Sequence, residues 1–268
     1  MSDQTKSAGG GSVTSVPGLG GLESRRSFLK KAGLGAAAVA AAWAIPKVST
    51  VYASGGTHPG TPPYTPLTGP CIEAPIDFEG LAAGTKVTNQ IPCVTVSARF
   101  LSFAPAHAMV FDTSSPTGGD SDLGTPNRGY GGPGIGSGGS APYGNGGGVG
   151  DSGFATNTAG LGKVLIVSED GDSSDPDDNA GGGYLYFYFC TPTNISTLKF
   201  VDIETGEYLK IWTWTGAGCT DYQGSIGPVY GNGNNSVLDV NVDRLDVCKL
   251  KVKFSGSGAI AEIGRFCR

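Results

Sequence analysis

Cys248-Lys249-Leu250-Lys251-Val252-Lys253-Phe254 alternates apolar side chains with three lysines. A period of two puts Leu250, Val252 and Phe254 on one face and the lysines on the other, which is a β-strand with one buried and one wet side. Upstream, Tyr184-Leu185-Tyr186-Phe187-Tyr188-Phe189 is apolar at every position and reads as a central strand buried on both faces. Working outward, short apolar runs broken by Gly, Pro, Asn and Asp predict strands at 75–79, 85–88, 93–98, 107–112, 163–168, 183–190, 195–204, 207–215, 236–242, 246–254 and 258–263. No helical period survives three turns after residue 70. Short strands of this number over roughly 200 residues predict an all-β domain. The expected fold is a β-sandwich of the jelly-roll or galactose-binding-like kind, spanning 71–268. Residues 129–153, about half glycine, read as a flexible insert leaving one end of it.

The segments ahead of the domain have another character. Ser24-Arg25-Arg26-Ser27-Phe28-Leu29-Lys30 resembles the bacterial twin-arginine signal, and an Ala/Gly-rich run from Ala32 to Ala44 follows it. Val51-Tyr52-Ala53 suits a signal peptidase, so residues 1–53 are expected to be a signal peptide and 54–70 a Pro/Thr/Gly linker. The apolar run is shorter than the roughly 20 residues of a membrane span, so no stable span is expected in the mature form. The expected location is outside the cytosol: periplasmic, cell-surface or extracellular.

Of 18 basic and 23 acidic residues, six and two fall before residue 54, which leaves 12 against 21 and a net of −9. That surplus argues against nucleic acid as a partner, because phosphate binding needs a basic surface. All six cysteines (Cys71, Cys93, Cys190, Cys219, Cys248 and Cys267) follow the signal, with no Cys-x-x-Cys pair. In an oxidising compartment that pattern predicts up to three disulfides, with the pairing left open.

Glu169-Asp170-Gly171-Asp172-Ser173-Ser174-Asp175-Pro176-Asp177-Asp178 packs six carboxylates into ten residues, directly after Val164-Leu165-Ile166-Val167. Like charges this dense need a counter-charge if the loop folds, and calcium supplies one through six to eight oxygens. Asp170, Asp172, Asp175, Asp177 and Asp178 are therefore candidate ligands, although EF-hand spacing is absent. A second stretch, Phe111 to Asn127, adds Asp112, Asp120 and Asp122 after another apolar run, and both loops could share one rim. Asp202 and Glu204 are weaker candidates for that rim, and Glu79 weaker still. The plainer alternative is a solvated acidic loop.

The two acidic motifs, with "IDFEGLAAGTKVTNQ" (76–90) and "KLKVKFSGSGAIAEI" (249–263), resemble secreted, largely uncharacterised bacterial β-sandwich domains. The resemblance covers roughly 75–263 and implies an extracellular module, with no catalytic residue to carry over.

An enzyme needs a placed acid, base or nucleophile. The chain has only His58, in the linker, and His107, and no Gly-x-Ser-x-Gly elbow. Tyr208, Lys210, Trp212 and Trp214 alternate onto one face of a strand, as a sugar-binding sheet would present them; the competing reading is that they fill the core. The expected function is thus a non-catalytic, calcium-stabilised module for adhesion or glycan binding, with an extracellular glycan or envelope component as partner. The alternatives are a glycan-active hydrolase or a purely structural envelope or matrix protein.

Overall fold

The computed structural model describes residues 72–136 and 156–267. The expected signal peptide and linker, Cys71 and most of the glycine-rich insert lie outside the described residues. Among those described, the chain is all-β. The strands are β1 (Ile72–Ile76), β2 (Val94–Phe100), β3 (Pro105–Asp112), β4 (Lys163–Ser168), β5 (Gly183–Val201), β6 (Tyr208–Thr215), β7 (Asp221–Tyr230), β8 (Val237–Phe254) and β9 (Ala259–Phe266).

They form one antiparallel sheet in the order β1-β9-β4-β3-β2-β5-β8-β6-β7. β5 pairs β9 as well, so the sheet closes on itself in a barrel-like way. Two long strands make the closure possible. The first half of β5 lies between β2 and the second half of β8, with Tyr186 opposite Ser97 and Lys251. Its second half lies between β9 and the first half of β8, with Leu198 opposite Ile263 and Val240. Register shifts between Tyr188 and Thr197 mark the bend, as bulges do where a strand turns from one wall to another.

The period of two in β8 holds: Leu250, Val252 and Phe254 are buried, and the lysines between them are partly exposed. They pack with Leu185, Phe187 and Phe189 of β5, Val94 and Val96 of β2, and Leu209 and Ile211 of β6 in the main core. A smaller core lies on the opposite side of β3, β4 and β9, where Met109, Phe111, Val164 and Ile166 meet Leu123 from the following loop.

Two expectations need correction. The strand buried on both faces is β4, whose Val164 to Ser168 are all buried, and not the first half of β5. There Tyr184, Tyr186 and Tyr188 face away from the main core toward the β8 lysines, which cover the rings. Residues 85–88 form a single bridge, Lys86 to Met109, in place of a strand. The strand pairs expected at 183–190 with 195–204, and at 236–242 with 246–254, are each one continuous bent strand. β7 was not anticipated.

Disulfides are present, as the cysteine pattern predicts. Cys93–Cys190 ties β2 to β5 and Cys219–Cys248 ties the β6–β7 turn to β8, with Cα separations of 5.0 and 5.7 Å. Cys267 is disulfide-bonded too. No helix among the described residues is long and apolar enough to cross a membrane.

Candidate functional site

β3 and β4 are antiparallel, so the acidic loops that follow them leave from opposite ends of the pair, one at Asp112 beside Lys163 and the other at Ser168 beside His107, and hydrogen bonds join them further along. Asp175 Oδ1 accepts from the Gly118 amide at 2.7 Å, and Asp120 Oδ2 accepts from the Asp178 amide at 2.6 Å. Thr117 Oγ1 donates to the Pro176 carbonyl. The chains approach so closely that Gly118, at φ 62°, has no room for a side chain: a Cβ there would lie 2.3 Å from that of Asp177.

The eight candidate aspartates divide into different environments. Asp170 and Asp172 cap turns: each accepts from the amide two residues on, and Asp172 also accepts from the Ser174 hydroxyl. Those Ser174 hydrogen bonds lower the Asp172 pKa. Asp112 makes the same kind of turn with Ser114 and an ion pair with Lys163 at 2.7 Å. Burial works against its ionisation, but the Lys163 and Ser114 contacts outweigh it and hold the pKa low. Asp177 differs. Its burial, followed by the charges of Asp170, Glu169, Asp175 and Asp178, raises its pKa to about 6, and its Oδ1 has no hydrogen-bond partner among the described residues.

Asp120, Asp122 and Asp178 are buried, which runs against the ordinary fate of a carboxylate. Asp178 Oδ2 accepts from the Ser257 hydroxyl and the Gly258 amide, both at 2.6 Å. Ser257 also reaches Asp202, which is fully buried and accepts from the Asn235 amide at 2.6 Å. Asp122, Asp202 and Glu204 each place a carboxylate oxygen within 4.8 Å of the others, the group of three that comes together among the described residues. Asn234 Nδ2 donates to Glu204, while the buried Asn234 Oδ1 has no hydrogen-bond partner among the described residues. Three carboxylates form an all-oxygen donor set, which fits calcium or magnesium better than zinc. The oxygens converge at the end of β5, and the Asp170–Asp175 loop lies in its own set of turns.

Sequence reasoning ranked Asp202 and Glu204 low and missed Asn235 altogether. Asn235 is fully buried at φ 60°, and its Nδ2 donates to the carbonyls of Asp122 and Gly124. Asn127 and Asn157 complete this buried amide network through Asn235 Oδ1 and the Asn235 carbonyl. The only sequence sign of it was the Asn234-Asn235 pair inside a glycine-rich turn. His107 is exposed and lies beside Gly171. Glu79 Oε1 accepts from the Lys163 amide at 2.6 Å, a local contact at the start of β4.

A second feature lies on the outer face of the sheet. Tyr208, Lys210, Trp212 and Trp214 are half-buried there, while Leu209, Ile211 and Thr213 point inward; they do not fill the core. Register sets Trp212 beside Lys251 and Trp214 beside Lys249, with Tyr186 and Tyr188 on the far side of the same lysines. Lys249 Nζ lies 4.4 Å from the Trp214 ring centre and 5.5 Å from that of Tyr188. Lys251 Nζ lies 4.6 Å from Trp212 and 4.2 Å from Tyr184, and Lys253 covers Tyr208 at 4.8 Å. The result is a ladder of aromatic rings with ammonium groups between them. Compared with known proteins, the chain matches no family model and no curated protein sequence.

Proposed function

We propose that this chain is a secreted, non-catalytic module that binds an extracellular glycan or envelope component through the β5–β8–β6 outer face and is stabilised by calcium at its acidic rim. In this reading the closed sheet is a β-sandwich of jelly-roll type whose walls are joined through the bends of β5 and β8. The observation that carries the proposal is the outward row Tyr208, Trp212 and Trp214, large rings kept at the surface where a sugar's C–H face can stack. The trio of buried Asp122 and Asp202 with partly buried Glu204 supports the calcium part.

The test is a glycan panel read by tryptophan fluorescence, with reducing-end release measured in the same tubes. Binding without turnover, abolished by Trp212→Ala together with Trp214→Ala, is the expected result. Turnover would favour the hydrolase reading, for which Asp177, protonated up to about pH 6, is the acid to replace first. Calcium is tested by melting in EDTA and then in 5 mM calcium. Extracellular sites bind with roughly 10⁻⁴–10⁻³ M dissociation constants, so about 1–2 kcal/mol of stabilisation is expected. That amounts to a rise of about 3–8 °C. Asp122→Asn should lose the response and Asp172→Ala should keep it; no rise in the parent chain would remove calcium from the proposal.

A further inference from the structure

The acids and bases of this chain are segregated. Acids outnumber bases 23 to 18, and the carboxylates gather on the loops after β3, β4 and β5. Lys210, Lys249, Lys251 and Lys253 nevertheless stand together on the outer face, and among the described residues none of the four has a carboxylate partner within ion-pair distance. Lys253 Nζ donates to the Tyr208 hydroxyl at 2.8 Å, and the other three rest on aromatic rings. Packing lysines side by side has a cost. Burial, then the charges of Lys249 and Lys253, lowers the Lys251 pKa. A structural role for the rings alone would be met by neutral neighbours, whereas this arrangement keeps three like charges two residues apart along β8, with Lys210 of β6 opposite Lys253, all of them partly exposed.

We propose that the ligand of this face is a linear acidic glycan, a polymer bearing sugar carboxylates. The inference rests on the glycan-binding reading above and adds the chemical class of the glycan. Alternate residues on one strand are about 6.8 Å apart, so Lys249, Lys251 and Lys253 form a cationic row about 14 Å long. Trp212 and Trp214 lie beside that row and offer stacking surfaces to the C–H faces of the same sugars. Each ammonium is a point charge held against a ring, which suits a single carboxylate. Lysine serves phosphate as well as carboxylate, so a single-stranded nucleic acid is the competing ligand and is made an outcome of the test. Arg99, on neighbouring β2, has its Nη1 committed to the Phe103 carbonyl at 2.8 Å.

The experiment uses the full chain in calcium-free buffer, well below its melting temperature. The probes are hexagalacturonate, its fully methyl-esterified form, and single-stranded poly(dT), each followed by tryptophan fluorescence at low and high sodium chloride. The free acid should bind at least about tenfold more tightly than the ester, and high salt should remove most of that difference. Lys251→Met with Lys249→Met should bring binding of the acid down to that of the ester while the melting temperature stays level or rises. Equal binding of acid and ester would overturn the acidic class and leave the glycan-binding reading in place. Failure of both sugars to bind, against binding in the glycan panel, would also overturn it. If poly(dT) binds more tightly than hexagalacturonate with the same lysine dependence, the ligand is a nucleic acid and the proposal is wrong.

Discussion

At the scale of single residues, the acidic rim is a set of unequal carboxylates. Asp177 has a folded-state pKa of about 6 against an ordinary 3.8, so the folded chain binds more protons than the unfolded one between those values. Stability therefore falls as pH rises through that window, and above about 6 the whole cost of an ionised Asp177 is present. A shift of that size would be worth roughly 3 kcal/mol unscreened, and solvent at this half-exposed position reduces it to about 1 kcal/mol. Asp177→Asn should accordingly raise the melting temperature by about 2–4 °C at pH 7.5 in calcium-free buffer and give no gain at pH 4. An unchanged or lower melting temperature at pH 7.5 would show that Asp177 carries no such cost. Little of this was legible beforehand. The run of acids was plain, but which of them the fold buries depends on partners distant in sequence, such as Ser257 for Asp178 and Asn235 for Asp202. Acidic side chains are usually solvated, and nothing in the local pattern marked Asp120, Asp122 and Asp178 as exceptions.

At the scale of elements, alternation was a sound guide where one face was wet and the other dry, as in β6 and the second half of β8. It failed for the first half of β5, because Tyr184, Tyr186 and Tyr188 look like core residues in sequence. The lysine row of the neighbouring strand covers these rings with its stems and ammonium groups, leaving Tyr188 exposed and Tyr186 partly so, while Tyr184 is buried beneath Lys251 and Phe103. β7 was missed because its glycines and Pro228 read as turn formers; as the last strand in the sheet order it needs pairing on one side only. β5 and β8 were each divided in two by polar residues at their bends, around Pro192 in one and Asp243 to Asp246 in the other. The disulfides act on these same elements. Cys93–Cys190 closes a separation of 97 residues and Cys219–Cys248 one of 29. Loop-closure entropy assigns about 4.5 kcal/mol to the first and about 3.5 kcal/mol to the second. Cys93→Ala/Cys190→Ala should thus lower the denaturation midpoint more than Cys219→Ala/Cys248→Ala, with both variants still folded. The reverse order in urea titrations would mean that local packing at Cys248, which is buried on β8, outweighs chain entropy.

At the scale of the whole molecule, the sheet is closed by partners far apart in the chain. Ile72 pairs with Phe266, and Leu198 of the middle strand β5 pairs with both Val240 and Ile263. A topology so dominated by distant contacts folds slowly, since much loop entropy is lost before the strands that repay it are in place. Slow folding is a hazard for a chain that must cross a membrane unfolded and an advantage for one that crosses folded. Twin-arginine export carries folded passengers, so the closed sheet is consistent with the proposal that Arg25-Arg26 belongs to such a signal. Such a passenger has to fold in a reducing cytosol, before Cys93–Cys190 and Cys219–Cys248 can form. A domain of roughly 200 residues can do this, because its core is large enough to hold without cross-links. Arg25→Lys/Arg26→Lys is therefore expected to leave the chain in the cytosol, folded, with reduced cysteines. The checks are fractionation, limited proteolysis leaving a resistant fragment that contains the nine strands, and thiol alkylation before and after denaturation. Export of that variant at the parent level would refute the signal reading; retention as a protease-sensitive chain would show that the disulfides are needed for the fold and not merely added to it.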